Sequence, residues 1–128
     1  MARPASSQPT EVELQILRIL WDDGPSIARH VHDSLQAFKQ TTYSTTVKML
    51  AVMLEKGLLR RDDRARPQIY RPAVPRQRTQ KRMLKDLIDK VYDGSAGVLM
   101  LHALSSKKAS PEEIAEIRRL LDELEGGK

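Results

Sequence analysis

Residues 41–71 read TTYSTTVKMLAVMLEKGLLRRDDRARPQIYR, and the fold turns on them. The first half has the composition of a helix running from about Ser44 to Lys56 and ending at Gly57. At 100° per residue, Val47, Leu50, Ala51 and Leu54 share one face, while Thr45, Lys48, Met49 and Val52 point the other way. The second half changes character. Leu58-Leu59-Arg60-Arg61 and Gln68-Ile69-Tyr70-Arg71 are short strand-like runs on either side of the turn-rich Asp62-Asp63-Arg64-Ala65-Arg66-Pro67, a pattern that predicts a β-hairpin with a basic tip. Pro72 and Pro75 bracket a boundary after it.

Two helices precede this stretch. Thr10-Glu11-Val12-Glu13 reads as a capping box opening the first, in which Val12, Leu14, Ile16, Leu17, Ile19, Leu20 and Trp21 spread apolar groups around most of the surface. A helix of that kind is covered by neighbours on more than one side. Asp22-Asp23-Gly24-Pro25 stops it, and Ser26 is placed to cap a second helix with Ile27, Val31 and Leu35 along one stripe. Three helices follow the hairpin. Met83, Leu84, Leu87, Ile88 and Val91 form a stripe on a helix from about Arg76 to Tyr92, broken by Asp93-Gly94-Ser95. Val98 to Leu104 makes a short apolar helix. Ser110-Pro111-Glu112-Glu113 then opens a last one carrying Ile114, Ile117, Leu120, Leu121 and Leu124 on one face.

Three helices and then a hairpin is the order of a winged helix, a helix-turn-helix variant whose third helix enters the DNA major groove while the hairpin reaches the flanking backbone. The expected fold class is therefore mainly α with a small β-hairpin. It divides into an N-terminal stretch 1–9, a winged-helix domain 10–74 and a helical region 75–125. Thr45 and Lys48 offer a hydroxyl and an ammonium to base edges or phosphates, and Met49 and Val52 could meet thymine methyls. Thr41, Thr42, Tyr43, Ser44 and Thr46 crowd the helix start, where hydroxyls and free backbone N–H groups suit phosphate. Arg60, Arg61, Arg64 and Arg66 load the hairpin with charge. Each feature also has a plainer role: hydroxyls cap helices, Met49 and Val52 can pack on a neighbouring helix, and an arginine-rich edge discourages strand pairing. The order of the elements favours DNA.

Composition narrows the field. The 128 residues hold 22 Lys/Arg and 17 Asp/Glu, a net charge of +5 that admits an anionic partner. With no cysteine, disulfides, thiolate metal sites and cysteine nucleophiles are excluded. Residues 1–9 contain no apolar stretch of signal-peptide type, and the run from Ser95 to Ser106 is far shorter than the roughly 20 residues that cross a bilayer. A cytoplasmic protein is expected. His30 and His32 are two apart on one helix and face different ways, there is no glycine-rich phosphate loop, and Asp22-Asp23 and Asp62-Asp63 belong to turns. Neither an enzyme nor a cofactor or small-molecule substrate is expected.

About fifty residues of helix after Pro75 make a small core alone, and small cores gain stability by oligomerising. Met83, Leu84, Leu87, Ile88, Val91, Leu99, Leu101, Ile117, Leu120, Leu121 and Leu124 are the candidate interface of a homodimer, which would match the two-fold symmetry of palindromic operators.

The ordered set of motifs resembles the BlaI/MecI/CopY family of bacterial penicillinase-type repressors over about residues 9–125. It comprises Pro9-Thr10-Glu11-Val12-Glu13-Leu14-Gln15-Ile16-Leu17, Leu20-Trp21, Gly24-Pro25, Tyr43-Ser44-Thr45-Thr46-Val47-Lys48, Leu54-Glu55-Lys56-Gly57-Leu58, Ile69-Tyr70-Arg71-Pro72, Asp93-Gly94-Ser95 and Ser110-Pro111-Glu112-Glu113-Ile114. The resemblance implies a homodimeric winged-helix repressor on a palindromic operator, with the C-terminal helices as the dimer interface. In antibiotic-responsive members, a membrane metalloprotease sensor triggers cleavage of an Asn-Phe pair in a short apolar helix, and His102-Ala103 aligns with that pair here. The copper-responsive branch senses metal through C-terminal cysteines, which this chain lacks.

The rival readings are a winged helix serving as a protein-docking adaptor and a nonspecific DNA binder. The distribution of charge bears on them. Tyr43 to Lys85 holds 12 Lys/Arg and 3 Asp/Glu, whereas the rest of the chain holds 10 and 14, so the positive charge gathers on the proposed recognition helix, the hairpin and the helix start that follows.

Overall fold

In the computed structural model, which describes residues 8–127, the capping box is formed as read. The Thr10 Oγ1 accepts from the Glu13 N–H at 3.2 Å, and the Glu13 carboxylate accepts from the Thr10 N–H at 2.9 Å. Helix α1 (Glu11–Asp23) starts there and ends at Gly24, whose φ of 85° needs a residue without a Cβ. Of residues 1–9, only Gln8 and Pro9 lie among the described residues.

The next element departs from expectation. Ser26 does not cap a helix: its hydroxyl donates to the Gly24 carbonyl at 2.8 Å, and Ser26–Ile27 form a two-residue strand, β1. Helix α2 (Ala28–Leu35) then begins after Ile27 without a side-chain cap. Helix α3 (Tyr43–Glu55) starts one residue earlier than predicted, with Thr42 as its N-cap. It closes in a Schellman motif: the Leu58 N–H donates to Met53 O at 2.9 Å and the Gly57 N–H to Leu54 O at 3.1 Å, with Gly57 at φ 81° and Leu58 buried.

The hairpin strands, β2 (Leu59–Asp62) and β3 (Ile69–Pro72), are each displaced by one residue from the sequence reading. With β1 they make a three-stranded antiparallel sheet in the order β1-β3-β2. Ser26 pairs with Tyr70, Arg61 with Tyr70 and Arg60 with Arg71. Tyr70 and Leu59 point into the core, so Arg60 and Arg71 point out.

The core gathers Ile16, Leu17 and Leu20 of α1, Val31 and Leu35 of α2, Leu50 and Met53 of α3, and Leu58, Leu59 and Tyr70 of the wing. A partly buried ion pair closes one side. Both carboxylate oxygens of Glu13 accept from Lys56 Nζ at 2.9 Å, tying the start of α1 to the end of α3. The Trp21 indole N–H donates to Val74 O at 3.2 Å, which fixes the chain leaving the wing.

Helix α4 (Arg76–Val91) follows, and the chain divides into two compact units after Leu84. The second unit contains the end of α4, α5 (Ala96–Ser106) and α6 (Pro111–Gly126). Helix α5 is longer at both ends than the predicted Val98–Leu104, since Ser95 caps it by accepting from the Val98 N–H. Helix α6 opens on the Ser110–Glu113 capping box with Pro111 in its first turn. No described side chain of α5 or α6 is buried, and Leu87, Val91, Val98, Met100, Leu101, Leu104, Leu120, Leu121 and Leu124 all stand exposed. Of the other interface candidates, Leu84 is exposed, while Met83, Ile88, Leu99 and Ile117 are half-buried. Among the described residues no helix is long and apolar enough to cross a membrane.

Candidate nucleic-acid interface

Helix α3 shows two faces. Thr46, Leu50 and Met53 point inward, and Thr45, Val47, Lys48, Ala51 and Val52 outward. Relative to the sequence reading the buried stripe is rotated, so Val47 and Ala51 move to the surface. Met49 packs half-buried against the core. The reason lies in residues 47–54, where apolar side chains cover the helix all round and periodicity cannot choose a face.

Thr46 corrects the expectation most clearly. Its side chain is fully buried and cannot face DNA. Its hydroxyl oxygen lies 3.3 Å from Thr42 O and 2.8 Å from His32 Nδ1, a ring nitrogen that Gln36 Nε2 also approaches at 3.1 Å. Gln36 continues the stitching: its amide N–H donates to His32 O at 2.8 Å, and its Oε1 accepts from the Thr41 N–H at 3.0 Å. The turn between α2 and α3 is therefore set by His32 of α2 and by Gln36, its C-cap.

The hydroxyl cluster divides into capping and presented groups. Thr42 Oγ1 accepts from the Thr45 N–H and donates to Thr45 Oγ1 at 2.9 Å, so this hydroxyl is used in capping α3. Ser44 and Thr45 remain on the surface with Lys48 one turn on. Tyr43 is exposed, its ring flanked by the Arg29 guanidinium 4.3 Å from the centroid and by the nearly perpendicular His32 ring, with 5.5 Å between ring centroids. Arg29 and His32 were not singled out from sequence as parts of this surface. Nothing local marks them, because their partners lie on another helix.

On the wing the arginines do different jobs. Arg61 pairs with Asp63, and that carboxylate, together with the Tyr70 hydroxyl, holds its guanidinium above the ordinary value. Arg66 folds back to donate to the carbonyls of Asp63 and Ala65. Arg64 projects from the tip with its side chain 94% exposed, its Nε 3.5 Å from Asp62 Oδ1. The Arg64 backbone N–H donates to the same carboxylate, which keeps Asp62 below the usual carboxylate range. As read from sequence, Asp62 and Asp63 serve the turn. Arg60 is exposed, and opposite it stands Arg71, a cation the sequence reading left out of the site although it sits in the quoted Ile69-Tyr70-Arg71-Pro72 run. Strand alternation was the available signal: one residue after the inward Tyr70, Arg71 shares the outward face with Arg60.

The two histidines paired on α2 go to different partners, His30 Nε2 to Asp23 Oδ2 at 2.8 Å and His32 to Thr46. No cluster of three or more metal-ligating side chains exists among the described residues. In the second unit, His102 and Ala103 lie inside α5, and His102 Nδ1 is 3.3 Å from the Tyr92 hydroxyl.

Three helices, a stitched turn and a basic hairpin on one sheet define a winged helix-turn-helix. Comparison with known proteins places it more narrowly. The family described as penicillinase repressor matches residues 9–123. The chain is 22% identical over 116 residues to the penicillinase repressor of Bacillus licheniformis, covering 91% of each chain. It is 29% identical over 121 residues to the transcriptional regulator BlaI of Mycobacterium tuberculosis strain H37Rv, covering 91% of this chain and 85% of the relative. The methicillin resistance regulatory protein MecI of Staphylococcus aureus strain N315 is 23% identical over 113 residues, 88% of this chain and 92% of its own. The chain belongs to the penicillinase repressor family, a BlaI/MecI-type regulator of transcription.

Proposed function

We propose that the chain is a sequence-specific, homodimeric repressor that occupies a palindromic operator on cytoplasmic double-stranded DNA. The observation that carries this reading is the outward face of α3, where Ser44, Thr45 and Lys48 stand exposed beside a wing bearing Arg60, Arg64 and Arg71. Thr45 and Lys48 read base edges, and the wing arginines grip flanking phosphates. The exposed apolar faces of α4, α5 and α6 support dimerisation through residues 75–125, and a dimer presents two copies of α3 to two half-sites. Derepression follows proteolysis in the C-terminal region by a membrane metalloprotease sensor. This last step rests on the family resemblance alone, and the bond at the aligned position is His102-Ala103 in place of Asn-Phe.

The test begins with selection of the operator from random duplexes, followed by gel shift across a salt series. Lys48→Ala or Thr45→Ala is expected to reduce discrimination between operator and random DNA by about tenfold, the scale of one lost base contact. Arg64→Ala is expected to weaken both alike and to lower the salt slope by about one. Equal losses on both DNAs for the α3 substitutions would overturn the recognition assignment. Absence of any salt-sensitive, selective shift would favour the docking adaptor.

A further inference from the structure

The antiparallel register sets Arg60 directly across from Arg71 on the outward face of the wing. Like charges in that position repel, so the pairing costs the free hairpin stability. The chain supplies little to relieve them. Neither guanidinium has an ion-pair partner within 4.0 Å among the described residues. The nearby carboxylates are committed elsewhere: Asp62 accepts from the Arg64 N–H and lies beside Arg64 Nε, and Asp63 is taken by Arg61 and Gln68. Asp62 does feel Arg71, but only as the weakest of its influences. Around the pair lies an open concavity of about 360 Å³, lined by Arg60, Arg61, Asp62, Asp63, Arg64 and Arg71, four cations and two anions.

We infer that Arg60 and Arg71 form a two-armed clamp for one phosphoryl anion, a single phosphodiester of the DNA backbone. Two guanidiniums on neighbouring strands can donate to different oxygens of one tetrahedral group, and the anion removes the repulsion that the free hairpin carries. Arg64, alone at the tip, contacts a different point of the backbone. The inference rests on the DNA-binding reading above and adds to it the sharing of one phosphate by two arginines, Arg60 and Arg71.

The clamp is tested with the full-length protein carrying Arg60→Gln, Arg71→Gln or both, on operator duplexes in which single backbone phosphates are replaced by neutral methylphosphonates. Each single variant is expected to weaken binding about tenfold on the natural duplex. One methylphosphonate position should make both variants indistinguishable from the wild type. In the absence of DNA, Arg60→Gln is expected to raise the melting temperature by about 1–4 °C, since it removes a cross-strand repulsion. A residue kept for structure would lower it. Unchanged DNA affinity in both variants, silencing at two different phosphates, or a lowered melting temperature would each overturn the clamp while leaving DNA binding intact. If the wild type itself binds no duplex, the functional reading falls, and the clamp as a DNA contact falls with it. Stabilisation of the wild type by inorganic phosphate over chloride at matched ionic strength, lost in the double variant but without any effect on DNA, would reassign the pair to a free anion.

Discussion

The two units of this chain solve the problem of burying apolar surface in opposite ways. Up to Leu84, Ile16, Leu17, Val31, Leu35, Leu50 and Met53 are shut completely from solvent, and even the buried Thr46 hydroxyl finds two partners. From Lys85 on, no described side chain is buried, and Val91, Leu101 and Leu124 stand 65–70% exposed. Helix α5, AGVLMLHALSS, is apolar on nearly every side, a composition found where a helix is surrounded. The first unit is thus a closed core, whereas the second carries its apolar side chains at the surface.

The sharpest way to break that contrast is to truncate one leucine in each unit. Leu50→Ala removes a fully buried side chain from α3 and is expected to cost about 2–5 kcal/mol in denaturant unfolding. If Leu50→Ala proved nearly neutral, the first unit would not be the closed core described. Leu87→Asp tests the second unit through assembly. The variant should sediment as a monomer and bind a half-site poorly, and an unchanged sedimentation coefficient would remove α4 from the interface.

A smaller and more local comparison uses two glycines. Gly57 has φ 81°, so Gly57→Ala should destabilise by about 1 kcal/mol even though a Cβ there meets nothing within 4 Å. Gly97 lies inside α5, where an added Cβ would approach only Ser95 Oγ, at 4.0 Å. Gly97→Ala should therefore stabilise by about 0.5–1 kcal/mol. Melting curves of the pair giving the same sign would contradict the backbone assignment at one of them.

What sequence could disclose follows the reach of its signals. Caps are local, and Thr10–Glu13, Ser110–Glu113 and Gly57 were readable because both partners sit within a few residues. The order of elements, and with it the winged helix, needed only those stops and starts. Strand β1 was missed because Ser26 has the look of a cap, and its pairing to Tyr70 lies 44 residues away. The face of α3 was misjudged for a related reason. Burial there is decided by His32 and by the core residues of α1 and α2, and a threonine that two distant partners satisfy can sit where an apolar residue was expected. Of the candidate site, Thr45, Lys48, Arg60 and Arg64 were legible from type and position. Arg29 and Arg71 needed the register and the tertiary neighbours.

The attachment of α3 at both ends has a consequence for how such proteins diversify. Thr46 fastens its beginning to α2 through His32, and Lys56 fastens its end to α1 through Glu13. The rotation of the helix about its own axis is thereby set from behind, by residues that are buried or half-buried. Ser44, Thr45, Lys48 and Val52 can then be exchanged without altering the angle at which they are presented. Such a helix works as a fixed holder with replaceable type: a few substitutions on its front can change the groups it presents while the frame that carries them stays the same.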